Sequence, residues 1–340
     1  MGKDFAVRRI GLAFTGQPYT IPQIVAAGKA AEAAHFHAVW TAEDYWTGRD
    51  GISSLACLAL NTERIQLGNC VINPYNRHPM LIAMTLNSLS DVAHGRLALG
   101  IGAGARWQPV LPAEFSRRPP LRALREAVNC VRAAFAGESI PFGDEMWRLA
   151  VNRPAFVDAI PFVPQRIPVY LGGRGPQTIR LIGQIGDGFI HGTGTGPGAL
   201  RARNQQLAAA VKRASRDPSG LDVAALIFAS VSDDGYIHPN VLNAVAGGVT
   251  NLDAAEIEEL ALDSERVGRV QRAWRDGNRP AACGLLDQSL ISLVAVAGTP
   301  AQCLRSLERY ATAGVTLPVL FPFGGALEPV IEVGAAFARS

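Results

Sequence analysis

The feature that most constrains the fold is a regular alternation of strand-like and helix-like segments along the chain. Short apolar runs typical of strands recur at 9–14, 38–41, 65–71, 97–101, 168–171, 188–191, 223–231 and 316–321. Helices are predicted over 21–34, 51–60, 79–92, 121–136, 176–185, 199–215, 300–313 and 329–338. Because crossover helices join parallel strands, this order predicts an α/β fold, a (β/α)8 TIM barrel with insertions. A doubly wound open sheet is the structural rival.

Two segments exceed the minimal repeat, and we expect them to be insertions within a single domain of residues 1–340. The first, 137–167, is proline-rich and precedes the fifth strand. The second, 232–298, carries predicted helices at about 253–274 and 288–296. Because elaborations that follow a barrel strand lie over the catalytic face, 232–298 is the better candidate for a substrate lid.

Composition favours a soluble, cytoplasmic, globular protein. The 340 residues are 48% hydrophobic and carry a formal net charge of +3, too small to indicate a nucleic-acid partner. No apolar run is long enough to cross a bilayer, and no signal peptide is predicted. The cysteines lack a CxxC pair, which predicts reduced thiols rather than a disulfide frame or a metal site; they are Cys57, Cys70, Cys130, Cys283 and Cys303.

Glu43 and Asp44 form an adjacent carboxylate pair at the end of the second predicted strand. In a barrel the chemistry lies at the carboxyl ends of the strands. Neighbouring carboxylates in a partly dry site raise the pKa of one of them, which makes a general acid at neutral pH. We therefore predict that these two residues are catalytic. The alternative is a helix-start cluster in which Asp44 or Asp50 caps the next helix.

Glycine-rich turns follow the fifth and sixth predicted strands. Residues Gly172, Gly173, Arg174 and Gly175 lead into a helix that begins at Pro176, and free N–H groups at a helix start bind phosphate. The sequence GTGTGPG at 192–198 is either a second phosphate site or a flexible loop. The preceding His191 is more simply a packing residue than a base.

Several motifs together resemble the bacterial luciferase-like superfamily of flavin and deazaflavin oxidoreductases. The most specific are NPYNRHP at 73–79 and HGRLALGIGAG at 94–104. YLGGRGP…IGDGFI at 170–190 and the late AGTP…GV…LFPFGG pattern support the resemblance. It covers about residues 8–200 and 285–338, and it points to the branch with methylenetetrahydromethanopterin reductase and the deazaflavin-dependent dehydrogenases.

The resemblance implies a site for coenzyme F420, a deazaflavin, or alternatively for FMN. It implies that Cys70–Val71 is a cis non-proline peptide that backs the cofactor ring. It also implies that backbone groups hold the cofactor phosphate, those of Gly172, Gly173, Gly175, Gly192 and Thr193. We assign Asn73 and Arg174, which lie at the same strand ends, to this predicted cofactor site. The implied protein is a homodimeric oxidoreductase that moves a hydride between the deazaflavin and a small organic substrate.

The chain departs from the family pattern at two positions that bear on the chemistry. The dehydrogenases of the family often have histidine where this chain has Asp44, and a carboxylate where it has Ala105. Glu43 and Asp44 are the nearest replacements for the missing acid–base groups. Two alternatives stay open, an FMN-dependent luciferase-like monooxygenase and a non-catalytic cofactor-binding protein. Trp46 and Trp107 are either walls of the substrate pocket or core residues.

Overall fold

The computed structural model describes residues 8–44, 47–104, 119–136, 164–250, 252, 254–260 and 262–340. Trp46, Ala105 and Trp107 therefore lie outside the described residues, as does most of the first predicted insertion, 137–163. The predictions made for those positions stay predictions.

The described residues form nine parallel strands and thirteen α-helices. The strands are β1 Gly11–Phe14, β2 Ala38–Thr41, β3 Gln66–Asn69, β4 Leu97–Gly102, β5 Val169–Gly172, β6 Gly188–His191, β7 Asp222–Val231, β8 Ala295–Gly298 and β9 Leu317–Pro322. The helices are α1 Ile21–Ala33, α2 Gly51–Asn61, α3 Pro79–Ala93, α4 Pro120–Ala136, α5 Pro176–Ile185, α6 Pro197–Arg213, α7 Pro239–Val249, α8 Ala254–Glu259, α9 Ser264–Arg275, α10 Arg279–Gly284, α11 Gln288–Val294, α12 Pro300–Thr312 and α13 Glu328–Arg339. None of the helices described here is long and apolar enough to cross a membrane.

Eight of these strands close into a barrel. Strands β1 to β6 pair in sequence order, β6 pairs with β7, and β9 closes the ring by pairing with both β7 and β1. The predicted (β/α)8 barrel is therefore confirmed, and the open sheet is wrong. In TIM-barrel enzymes the edge at which the parallel strands end is the catalytic face, and we use that name for this edge.

Alternation of side chains along each short strand separates the barrel interior from the shell that faces the helices. Trp40 of β2 packs edge-on against Tyr170 of β5, with ring centroids 5.2 Å apart, although these strands are not neighbours in the barrel. Val39, between two interior positions, belongs instead to the apolar layer under the helices. Because both faces are buried, the strands read in sequence as continuous apolar runs.

The second insertion differs from its prediction at both ends. Helix α7 was not predicted; it begins at a His–Pro pair, where His238 Nδ1 accepts a hydrogen bond from Asn240 N at 3.2 Å. The same pair opens α3, where His78 Nδ1 accepts from Met80 N at 3.1 Å. The His–Pro pair is therefore a sequence signal for a helix start in this chain, but histidine is not among the usual capping residues.

The prediction of a single helix over 253–274 is also wrong. So is the prediction that the helix over 288–296 continues to its last two residues. Asp263 caps α9 by accepting a hydrogen bond from Arg266 N at 3.0 Å, and this separates α9 from α8. Ala295 leaves the helical conformation and begins β8, which pairs with Phe228–Val231 of β7. β7 is ten residues long, so its second half offers a ladder edge that outweighs helix propensity at 295–296.

Strands β3 and β4 approach each other closely at Gly100. A Cβ atom placed on Gly100 would lie 1.8 Å from the carbonyl oxygen of Asn69 and 3.0 Å from Ile190 Cδ1. Backbone cannot move aside as a flexible side chain can, so the position admits glycine alone. This contact fixes where β3 ends relative to β4, and therefore where the chain after β3 can turn.

We predict that Gly100→Ala lowers the free energy of unfolding by about 3 kcal/mol, because the added methyl overlaps the Asn69 carbonyl and forces the strands apart. The matched control is Gly284→Ala, since no atom lies within 4 Å of a Cβ there. The control should stay within about 1 kcal/mol of the parent chain. Urea unfolding measures both, and equal midpoints for the two variants would contradict the packing argument.

Candidate cofactor and active site

The chain leaves β3 through a bulge at the catalytic face. The Cys70–Val71 peptide is cis, which confirms the prediction. Cys70 N donates to Thr41 O at 3.0 Å, so the bulge begins against β2. Beyond it the chain returns to β4, where Ile72 N donates to Gly100 O at 2.8 Å and Gly102 N donates to Ile72 O at 3.0 Å. The bulge is thus hydrogen-bonded to the strand on each side.

The side chain of Val71 lies over the ends of β4 and β5, where both strands carry glycine. A Cβ on Gly102 would lie 2.8 Å from Val71 Cγ2, and one on Gly172 would lie 3.1 Å from Val71 Cγ1. The two glycines therefore leave the space that Val71 occupies. Together the three residues make an apolar surface at the strand ends, of the kind on which a flat ring can rest.

Asn73 begins the NPYNRHP loop and ties it to β4. Its side chain donates from Nδ2 to Ala103 O at 3.0 Å and accepts at Oδ1 from Tyr75 N at 2.9 Å. Asn73 is almost completely buried. The geometry gives it a clear role in positioning the loop, and its predicted contact with the cofactor stays a prediction.

Glu43 is held by the NPYNRHP loop. Arg77 Nε donates to Glu43 Oε1 at 2.7 Å, and Arg77 Nη2 donates to Asp50 Oδ1 at 2.6 Å. Burial raises the pKa of the Glu43 carboxyl, and the guanidinium of Arg77 offsets part of that rise. Asp50 adds to the increase in pKa, so the neighbouring carboxylate that matters is Asp50. Sequence reasoning missed Arg77 and its part in this cluster.

Asp44 lies partly buried at the end of β2, and its carbonyl anchors the turn that follows. Thr47 N and Thr47 Oγ1 donate to Asp44 O at 3.1 and 2.7 Å. Thr47 Oγ1 in turn accepts from Gly16 N at 3.1 Å, which ties this turn to the segment after β1. Asp50 Oδ2 caps α2 by accepting from Ser53 N at 2.7 Å. The capping alternative therefore applies to Asp50.

Two helices begin at this face, α5 at an exposed glycine–proline pair and α6 at a buried one. Gly175 and Gly196 precede Pro176 and Pro197 at the starts of α5 and α6, and no side chain of the described residues caps either helix. A Cβ on Gly173 would lie 2.4 Å from Thr178 Cγ2, so the turn packs directly against the first turn of α5. Such a cradle suits a phosphate group, because the helix start carries partial positive charge and glycine permits close approach.

The glycine turns after β5 and β6 contact each other. Arg174 Nη2 donates to Thr193 O at 3.1 Å, and Thr195 Oγ1 donates to Gly192 O at 3.0 Å. Residues 194–197 are buried, so GTGTGPG forms a packed turn that leads into α6 rather than a flexible loop. The arrangement brings together every predicted phosphate-binding residue at one part of the barrel edge.

His191 is a packing residue, as expected. Its ring lies 3.9 Å from that of Phe189, and its Nε2 is hydrogen-bonded to Asn204 Oδ1 at 2.8 Å. Burial lowers the pKa of His191 to about 4, so the imidazole is neutral at physiological pH. A buried, neutral and partnered ring is a poor candidate for a base.

Sequence analysis did not predict an aromatic cluster that β7 and the end of β9 form together. Phe321 and Phe323, at the end of β9, pack edge to face with ring centroids 4.9 Å apart. Phe323 lies 5.5 Å from Phe228 of β7 in a perpendicular arrangement. A periodicity of two could have placed Phe321 and Phe323 on one face, but not beside Phe228. The cluster supplies apolar surface next to the second insertion.

The predicted site residues thus lie at the ends of consecutive strands and are linked by direct contacts. Arg77 joins the loop after β3 to Glu43 after β2, and Val71 reaches across β4 to Gly172 of β5. Arg174 connects the loops after β5 and β6. The result is a continuous surface with a carboxylate pair at one end and a phosphate cradle at the other.

Comparison with known proteins finds relatives that align with most of this chain. The chain is 29% identical over 309 residues to the 5,10-methylenetetrahydromethanopterin reductase of Methanolobus tindarius, covering 90% of this chain and 92% of that protein. It is 29% identical over 288 residues to the F420-dependent hydroxymycolic acid dehydrogenase of Mycobacterium tuberculosis, covering 81% and 78%.

Among solved structures, the coenzyme F420 dependent tetrahydromethanopterin reductase from Methanopyrus kandleri superposes with a TM-score of 0.79 at 24% identity. The superposition covers 97% of this chain and 98% of that one, so the whole fold is shared. The sequence also matches the luciferase-like monooxygenase family over residues 5–317. The resemblance inferred from the motifs is confirmed, and the chain belongs to the bacterial luciferase-like family.

Proposed function

We propose that this protein is a coenzyme F420-dependent oxidoreductase that transfers a hydride between the deazaflavin and a small organic substrate. The observation that carries the proposal is the Cys70–Val71 bulge, with Val71 set over Gly102 and Gly172. It lies between a phosphate cradle and a carboxylate pair on one edge of the barrel. The F420 dependence named for the hydroxymycolic acid dehydrogenase and the tetrahydromethanopterin reductase supports the choice of cofactor.

The chain's own residues would hold and orient this cofactor. Coenzyme F420, when bound, supplies a ring carbon that gives or accepts the hydride. The apolar surface of Val71 and its glycines would support the ring. The uncapped first turn of α5, with Gly172, Gly173 and Gly175, would hold the phosphate together with Gly192 and Thr193. Asn73 keeps the loop above β4 in place.

Proton transfer falls to the carboxylates after β2. Glu43 is committed to Arg77 by a 2.7 Å hydrogen bond, which suits a residue that fixes the geometry and charge of the cluster. Asp44 is partly buried at the strand end, and we assign to it the exchange of a proton with the substrate. A reduction of a polarised carbon–carbon or carbon–nitrogen double bond requires less base chemistry than alcohol oxidation.

The FMN-dependent monooxygenase is the rival within the same family, whose description names a monooxygenase. A deazaflavin carries hydride and reacts poorly with oxygen, whereas reduced FMN reacts readily. The two functions therefore differ in the first property that can be measured, the identity of the ring that binds.

We predict that the protein binds coenzyme F420 at least about tenfold more tightly than FMN, a difference of about 1.4 kcal/mol. The measurement is quenching of intrinsic fluorescence during parallel titrations with the two cofactors. The Gly102→Leu variant should weaken F420 binding, because the larger side chain displaces Val71. Quenching by FMN with none by F420 would overturn the proposed function.

Asp44→Asn should lower turnover about 100-fold or more while leaving the dissociation constant for F420 unchanged, because it removes only the proton-transfer group. Turnover is followed by the change in deazaflavin absorbance with candidate reducible substrates. The matched control is Asp217→Asn, an exposed residue at the opposite end of the barrel whose capping bond asparagine can keep. Full activity in Asp44→Asn would transfer the acid–base role to another residue.

We also propose that the protein is a homodimer joined through α2 and α3. These two helices pack side by side and leave three large apolar side chains exposed, Leu60 at 69%, Leu81 at 43% and Met84 at 54%. Leu81 and Met84 are three residues apart on α3 and share one face, and exposed apolar residues on a shared face are typical of an interface. The symmetry of a dimer would bring this surface onto its own copy.

Met84→Lys is expected to shift the protein from dimer to monomer, since a charge at the centre of an apolar interface is costly to bury. Sedimentation velocity measures the change. Tyr236→Lys, at a residue 58% exposed on the second insertion, is the control and should leave the mass unchanged. A Met84→Lys protein that stays dimeric would exclude this surface.

A cytoplasmic location and a single domain complete the proposal. All five cysteines are free thiols in the structure, which suits a reducing compartment. Cys70, Cys130 and Cys303 are buried, and Cys57 and Cys283 are partly buried. The second insertion shares one apolar cluster with the barrel interior, which supports a single folding unit.

A further inference from the structure

A groove runs along the outside of the barrel between α4 and α5. Its volume is about 440 Å³, which lies within the range of about 300–1,000 Å³ that small-molecule sites occupy. The lining side chains come from the first two turns of α4 and from the length of α5, and most of them are polar; they are Leu121, Arg122, Arg125, Gln177, Arg180, Leu181 and Gln184. The groove is distinct from the barrel mouth, although it begins beside it.

The groove carries three arginines and no carboxylate among its described lining residues. Arg122 pairs with Glu126, at the next turn of α4, at 2.7 Å. Arg125 donates to Gln184 across the groove. Arg180 is exposed and makes neither an ion pair nor a hydrogen bond within the described part of the chain. The local charge is therefore positive, although the whole chain carries only +3.

One end of the groove adjoins the start of α5, which belongs to the proposed phosphate cradle. Gln177 lines the groove and is also the second residue of α5, directly after the Gly175–Pro176 start. Arg180 follows one turn later on the same helix, and Gln184 one turn after that. A chain attached to the phosphate can therefore continue along α5, away from the ring, and remain in contact with this groove.

We propose that the groove binds the acidic tail of the cofactor, an oligoglutamyl chain that coenzyme F420 carries beyond its phosphate. The inference rests on the proposed function. Arg125 and Arg180 are the contacts for the tail carboxylates, because guanidinium groups match carboxylates in charge and geometry. The glutamines offer amide donors to the same chain. Since these side chains are exposed, each contributes modestly and the effect depends on ionic strength.

The test measures binding rather than activity. Two ligands are titrated into the full-length protein by fluorescence quenching: F420 with its oligoglutamyl tail, and the same ring and phosphate without glutamates. The parent chain should bind the tailed form more tightly, and rising salt should reduce the difference. In the double variant Arg125→Gln, Arg180→Gln, affinity for the tailed form should fall about three- to tenfold while affinity for the tail-free form stays constant.

Arg213→Gln is the control, because Arg213 is equally exposed but lies in the last turn of α6 at the other end of the barrel. It removes a similar charge and should leave both affinities unchanged. A preference for the tailed form that survives in the double variant would overturn the groove assignment, as would an equal loss for both ligands. Binding of FMN with neither deazaflavin form would instead overturn the proposed function itself, so the two failures are distinguishable.

Discussion

The close approach of the Asn69 carbonyl to Gly100 is the constraint on which the site depends. It sets the end of β3 against β4, so that the next residues bulge over the barrel edge and return through Ile72. The bulge then requires glycine at the two strand ends beneath Val71. A packing requirement in the barrel wall thus produces a flat apolar surface at the catalytic face, before any cofactor is considered.

Electrostatics divides the catalytic face into two parts. Near β5 and β6, uncapped helix starts concentrate partial positive charge, and the arginines between α4 and α5 extend it along the outer surface. Near β2, Arg77 pairs with the partly buried Glu43 and also contacts Asp50. A ligand with an anionic group would therefore be attracted with that group toward β5 and β6.

Most of the barrel could be predicted from the sequence, because its strands are apolar on both faces and its helices begin at proline or capping residues. Contacts between residues that are far apart in the sequence could not be predicted. Arg77 and Glu43 are 34 residues apart, and nothing in their local sequence pairs them. The cis peptide was predicted only through family motifs. Where the local pattern failed, as at 295–296, pairing with β7 decided the conformation.

Strand β8 determines how the second insertion can move. Its ladder with residues 228–231 of β7 extends the barrel wall, and it comes at the end of the insertion. The insertion is therefore anchored twice, by the direct exit of the chain from β7 and by these hydrogen bonds. A hinge motion that keeps the ladder must therefore turn about the two ends of the insertion, next to β7 and β8.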